Sequence, residues 1–119
     1  MKIDWVKIAG ILGFIGVLAG AFGAHALKAR LTPELLHAWN TGVQYQLVHA
    51  LALLAMGLFA KAGTWKVGWI GRFFLAGVIL FSGSLYVLSV TGIKIFGAIT
   101  PLGGICFLIG WGLLVFRKD

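Results

Sequence analysis

A chain of 119 residues that is 61% hydrophobic and 11% charged, where ordinary domains are about 25% charged, cannot be a soluble domain. A fold this small buries only roughly two-thirds of the surface its unfolded chain exposes, so the bilayer must act as solvent, and the mean hydropathy of +1.02 agrees. The net charge of +7 comes from ten basic residues scattered at the ends of apolar segments without a basic stripe, which argues against a nucleic-acid partner and for anchoring at lipid headgroups.

Four spans of about 20 residues would occupy most of the chain as a single domain. The first covers residues 5–27, with Lys2 and Lys7 at its start and no charge after them. Ala24-His25-Ala26 imitates a signal-cleavage site, but the apolar stretch is longer than a signal core of 7–15 residues. It is read as a retained helix. Ala9, Gly13, Gly16, Gly20 and Gly23 recur at helical spacing and form one small-residue stripe. Such a stripe lets backbones approach closely, which drives helix association where the hydrophobic effect cannot. Whether its partner helix belongs to the same chain or to another copy is left open by the spacing.

Residues 28–41 are polar enough to leave the hydrocarbon. Thr32-Pro33-Glu34 supplies a hydroxyl cap, a proline at the first helical position and an acid in the first turn. From Pro33 the helical pattern continues to Ala60, about 42 Å at 1.5 Å per residue, which exceeds a hydrocarbon core of about 30 Å. The first turns, with Leu35, Leu36 and Trp39 on one side, are therefore expected as a short interfacial segment. Gly42 is a natural bend at which the second span, 42–60, begins. Gly42, Tyr45, Gln46 and His49 share one face of it, with Leu47, Leu51, Leu54 and Leu58 opposite.

The third span covers 69–90 after a turn through Gly63, and Ser82, Tyr86 and Ser89 share a face on it. The fourth covers about 96–116, before the tail Arg117, Lys118, Asp119. Thr100-Pro101 permits two starts: a helix from Phe96 kinked at Pro101, or an interfacial entry over Ile95–Ile99. Cys106, the one cysteine, packs as a small apolar group and says nothing about compartment.

Placing Gln46 and His49 inside a span is costly unless they face the bundle interior and find partners. The hydroxyl of Ser82 or Tyr86 is the expected partner of His49, whose neutral ring both donates and accepts. Tyr45, Gln46, His49, Ser82 and Tyr86 thus form a candidate polar site between helices, either a clamp or a solute or proton site around His49. The histidines match no defensible metal-ligand spacing, and neither a metal nor another cofactor is expected. The acids Asp4, Glu34 and Asp119 all lie outside the spans, and no catalytic motif appears, so an enzyme is not expected.

Orientation follows from the basic residues. Lys2, Lys7, Lys61, Lys66, Arg72, Arg117 and Lys118 fall on one side, and Lys28, Arg30 and Lys94 on the other. Seven against three predicts both termini in the cytoplasm and argues against dual topology.

Four blocks carry a family resemblance: Gly20 to Leu27 (GAFGAHAL), Thr41 to Ala50 (TGVQYQLVHA), Phe81 to Tyr86 (FSGSLY) and Thr100 to Gly104 (TPLGG). Together they resemble the bacterial membrane family catalogued as domain of unknown function 423, related to the eukaryotic transmembrane protein 256 group. The resemblance implies a four-helix inner-membrane protein and brings no substrate, cofactor or catalytic residue. The sequence thus predicts an all-α four-transmembrane-helix bundle acting as a structural or interaction protein on lipid, a membrane-protein partner or a second copy. A small-solute transporter or channel is the alternative.

Overall fold

Asp4 accepts a hydrogen bond from the Lys7 N–H at 3.2 Å and so caps helix α1, Trp5–Leu27. The computed structural model describes residues 2–63 and 65–117; Lys118 and Asp119 of the basic tail lie outside the described residues. The last turn of α1, Gly23–Leu27, widens into a π-helical turn. Thr32 caps α2 by accepting from Leu35 N–H at 3.2 Å, and α2 runs Pro33–Lys61, 29 residues. It passes through Gly42 as uninterrupted α-helix, so the expected interfacial segment and second span are one rod. Trp39, expected at the interface, is buried.

Helix α3, Gly68–Thr91, contains a π-helical turn at Val78–Ser82 and stops at Gly92. There a φ of 69° lets the N–H of Gly92 reach back to the Leu88 carbonyl at 2.7 Å. Helix α4, Ile95–Val115, takes Pro101 into its interior. Thr100 is therefore not a cap: its hydroxyl bonds the Phe96 carbonyl one turn back at 3.3 Å.

All four helices are long and apolar enough to cross a membrane. The molecule measures 48 × 25 × 23 Å, and its long axis matches a bilayer of about 40–45 Å with headgroups. The chain is an all-α, four-helix integral membrane protein. Helix α1 packs on α2, α2 on α3, and α3 on α4. Two apolar clusters fill the interior. One gathers Trp5, Leu53, Met56, Ile70, Phe74 and Phe107 toward the end that carries both termini. The other holds Leu27, Trp39 and Val43 near the opposite end. Between them along α2 sit Gln46 and His49.

Glycines set the closest approaches. A Cβ on Gly103 of α4 would collide with the Phe81 backbone of α3, so these two helices touch main chain to main chain. On α1, a Cβ at Gly16 would fall 2.7 Å from Leu47, one at Gly20 3.3 Å from Val43, and one at Gly23 2.7 Å from the Trp39 ring. The partner of the stripe is thus α2 of the same chain. Gly13 is the exception, with no atom within 4 Å of the position its Cβ would take.

Candidate functional site

Gln46 is 3% exposed at the middle of α2, and its amide joins three helices. Its Nε2 donates to the Leu12 carbonyl of α1 at 2.8 Å, and its Oε1 accepts from the Tyr86 hydroxyl of α3 at 2.7 Å. A carbonyl can only accept, so Leu12 fixes which end of the amide carries the hydrogens. One turn earlier on α2, the Gly42 carbonyl accepts from the Ser82 hydroxyl at 2.6 Å. Ser82 and Tyr86 are themselves one turn apart, so α3 grips α2 at two successive rungs. Ser82 closes the π-helical turn of α3, an element in which displaced hydrogen bonds often accompany a special role. Gly42 supplies the clearance: a Cβ there would lie 2.9 Å from the Tyr86 ring.

His49 does not bond Ser82 or Tyr86, the expected partners. Its Nδ1 lies 2.8 Å from the Tyr45 carbonyl of its own helix, and its Nε2 accepts from the Trp111 indole N–H of α4 at 3.0 Å. The carbonyl needs a proton on Nδ1, and the indole needs a lone pair on Nε2. Together they select the neutral Nδ1–H tautomer, with both ring nitrogens satisfied. The imidazole stacks on Phe107 at 3.7 Å between centroids and meets the edges of Phe74 and Trp111. This aromatic box is how α4 reaches α2, through long side chains.

The remaining candidates divide. Tyr45 is expected inside with Gln46 but is 41% exposed, its ring lying against Phe81 at 4.4 Å. The i, i+4 spacing that aligns it with His49 places it on the rim of the shared face. Ser89 bonds the Leu85 carbonyl of its own helix at 2.7 Å and crosses to nothing. Three polar contacts escaped the sequence reading. Trp111 sits 62 positions from His49 in the chain. Trp39 Nε1 donates to the Ala19 carbonyl of α1 at 2.8 Å. Ser84 of α3 meets Thr100 of α4 at 2.6 Å. Nothing in the spacing marks an indole near the end of α4 as different from an interfacial tryptophan, and Thr100 beside Pro101 reads in the sequence as a helix start.

Chemically the arrangement is a neutral clamp. The carboxylates Asp4 and Glu34 stand outside it, at helix starts, and among the described residues no group of three His, Cys, Asp or Glu could hold a metal ion. The Gln46 amide, the His49 ring, the Ser82 and Tyr86 hydroxyls and the Trp111 indole N–H each bond a neighbour within the bundle. A cleft of about 650 Å³ opens instead at the charged end beside Lys2, Lys61 and Arg72.

Comparison with known proteins places the chain in a wider group. The family described as Protein of unknown function (DUF423) matches residues 19–104, the stretch that holds Gln46, His49, Ser82 and Tyr86. The UPF0382 membrane protein YwdK of Bacillus subtilis is 47% identical over 116 residues, covering 92% of this chain and 94% of that protein. The UPF0382 membrane protein SSP2132 of Staphylococcus saprophyticus is 42% identical over 115 residues, covering 97% and 95%. No solved structure matches the chain.

Proposed function

We propose, from the premise that the chain belongs to the DUF423 family of proteins of unknown function, that it is a non-catalytic interaction protein of the bacterial cell (inner) membrane. In this reading it binds membrane lipid and a membrane-protein partner or second copy through its outward faces, with both termini in the cytoplasm. The observation that carries it is the state of the interior polar groups. Gln46, His49, Ser82, Tyr86 and Trp111 spend their hydrogen bonds on one another and on helix carbonyls. A solute pathway needs groups free to exchange partners with its cargo, and a proton pathway of the usual kind uses a carboxylate within the span.

The outward faces carry what is left for recognition. Phe14, Val17 and Leu18 of α1 and Leu102, Ile105 and Leu108 of α4 are exposed. The orientation rests on the charge asymmetry, with Lys2, Lys7, Lys61, Lys66, Arg72 and Arg117 at one end of the described bundle and Lys28, Arg30 and Lys94 at the other.

The test has two arms. Purified protein reconstituted into vesicles should leak protons and small solutes no faster than empty vesicles. A photo-crosslinker at Phe14 or Leu108 should capture one discrete species in living cells, either a second copy or a defined membrane protein. Sustained flux that His49→Gln abolishes would replace this reading with a transporter.

A further inference from the structure

The charged end of the bundle holds a feature that the clamp does not use. Three helix ends meet there around the cleft of about 650 Å³, lined by Lys2, Asp4 and Trp5 before and at the start of α1, Lys61 at the end of α2, and Gly68 and Arg72 at the start of α3. The charges do not balance. Lys61 is accounted for: it sits in the last turn of α2, where the carbonyl end of a helix favours a cation, and its ammonium lies 3.8 Å from Asp4. Asp4 is also occupied as the cap of α1. Lys2 and Arg72 remain without a counter-charge among the described residues.

Arg72 is also poorly placed in electrostatic terms. Its guanidinium folds back over the first residue of its own helix, so that a Cβ on Gly68 would lie 2.9 Å from Nη1, and it rests 5.2 Å from the Trp69 ring. A cation over a helix N-terminus is repelled by the positive end of the dipole. Helix α3 starts without a side-chain cap and without an acid in its first turn, so no carboxylate within the helix offsets that repulsion, and the Trp69 ring face supplies a cation–π contact but no counter-charge. Two surplus cations and the start of α3 therefore converge on a cleft large enough for a ligand.

We infer that this cleft is a binding site for the phosphate of an anionic phospholipid headgroup. A phosphodiester presents acceptor oxygens that match the planar donors of Arg72 and the ammonium of Lys2. The cleft lies at the ends of the spans beside the exposed Trp69 ring, the level at which headgroups and aromatic belts sit. Its apolar wall, Trp5 and Val67, suits the glycerol portion of a lipid better than a bare ion.

The site rests on reading the chain as a membrane binding protein, and it supplies that reading with a ligand class. The two fail separately: loss of headgroup selectivity would leave the absence of flux untouched, and flux would leave headgroup selectivity untouched.

The experiment is native mass spectrometry of the intact chain released from micelles containing phosphatidylglycerol or phosphatidylcholine. Phosphatidylglycerol should be retained in preference. Lys2→Gln and Arg72→Gln should each weaken its retention about fivefold, and the pair on the order of 25-fold. Arg72→Lys should keep much of the binding, and Lys28→Gln with Arg30→Gln at the other end should change it little. All variants should keep the wild-type melting profile, so that loss of binding is not loss of fold. Equal retention of both lipids, or equal loss from the distant pair, would overturn the site. Retention of inorganic phosphate from lipid-free detergent as tight as that of phosphatidylglycerol would overturn its assignment to a lipid.

Discussion

Gln46→Leu probes the clamp at its centre, because leucine nearly matches glutamine in size and removes both hydrogen bonds at once. The bond to Leu12 joins α1 to α2, and the bond to Tyr86 joins α2 to α3. Bonds between helices in a bilayer average about 0.6 kcal/mol and reach about 1.7, so the substitution should cost about 1–3 kcal/mol. The Leu12 carbonyl keeps its place in the helix ladder, but the half-buried Tyr86 hydroxyl loses its acceptor, which pushes the cost toward the upper figure. The assay is reversible unfolding in bicelles for Gln46→Leu, Tyr86→Phe and the double variant. The cycle should return a coupling of about 0.5–1.5 kcal/mol, since either single change already breaks the shared bond. Strict additivity of the two changes would refute the bond, and an unaltered Gln46→Leu would refute the clamp.

Gly16→Leu should destabilise the bundle by about 1–3 kcal/mol through overpacking against Leu47, whereas Gly13→Leu should cost little; the same unfolding assay separates them. Trp111→Phe removes the donor to His49 and should cost about 1 kcal/mol, while His49→Leu, which strands the indole N–H at the edge of the bundle, should cost about 1–3. Circular dichroism of both variants should show the helices intact. A C-terminal fusion to a reporter active only after export should be inactive, since the basic end holds the C-terminus; an active fusion would reverse the orientation.

The polar face of α2 shows what spacing can and cannot do. Gln46 and His49 were recognisable as inward-facing because an unpaired amide or imidazole in hydrocarbon is too costly to leave facing lipid. Their partners were not. Helical periodicity gives the direction of a side chain about its own axis and says nothing of which helix stands there, at what height, or in what rotation. Spacing therefore offers His49 the hydroxyl of Ser82 or Tyr86, whereas Ser82 bonds Gly42 and Tyr86 bonds Gln46, and it does not single out Trp111. Gly13 makes the same point, since it continues the stripe in the sequence while its position on α1 leaves it facing no other helix.

The sequence by itself determined the class, the four helices and their approximate ends. Those properties depend on the free energy of each segment in water against lipid, a sum over local residues that needs no neighbour. The cap at Thr32 is local in the same sense. Only the tertiary structure decided that α1 spends Gly16, Gly20 and Gly23 on α2, that Pro101 lies inside a continuous α4, and that His49 is held in one tautomer by Tyr45 and Trp111. In a bilayer the apolar surface of a helix is as content against lipid as against another helix. Association is then settled by backbone clearance and by a few directional bonds between residues far apart in the chain, and these exist only once the helices have been set side by side.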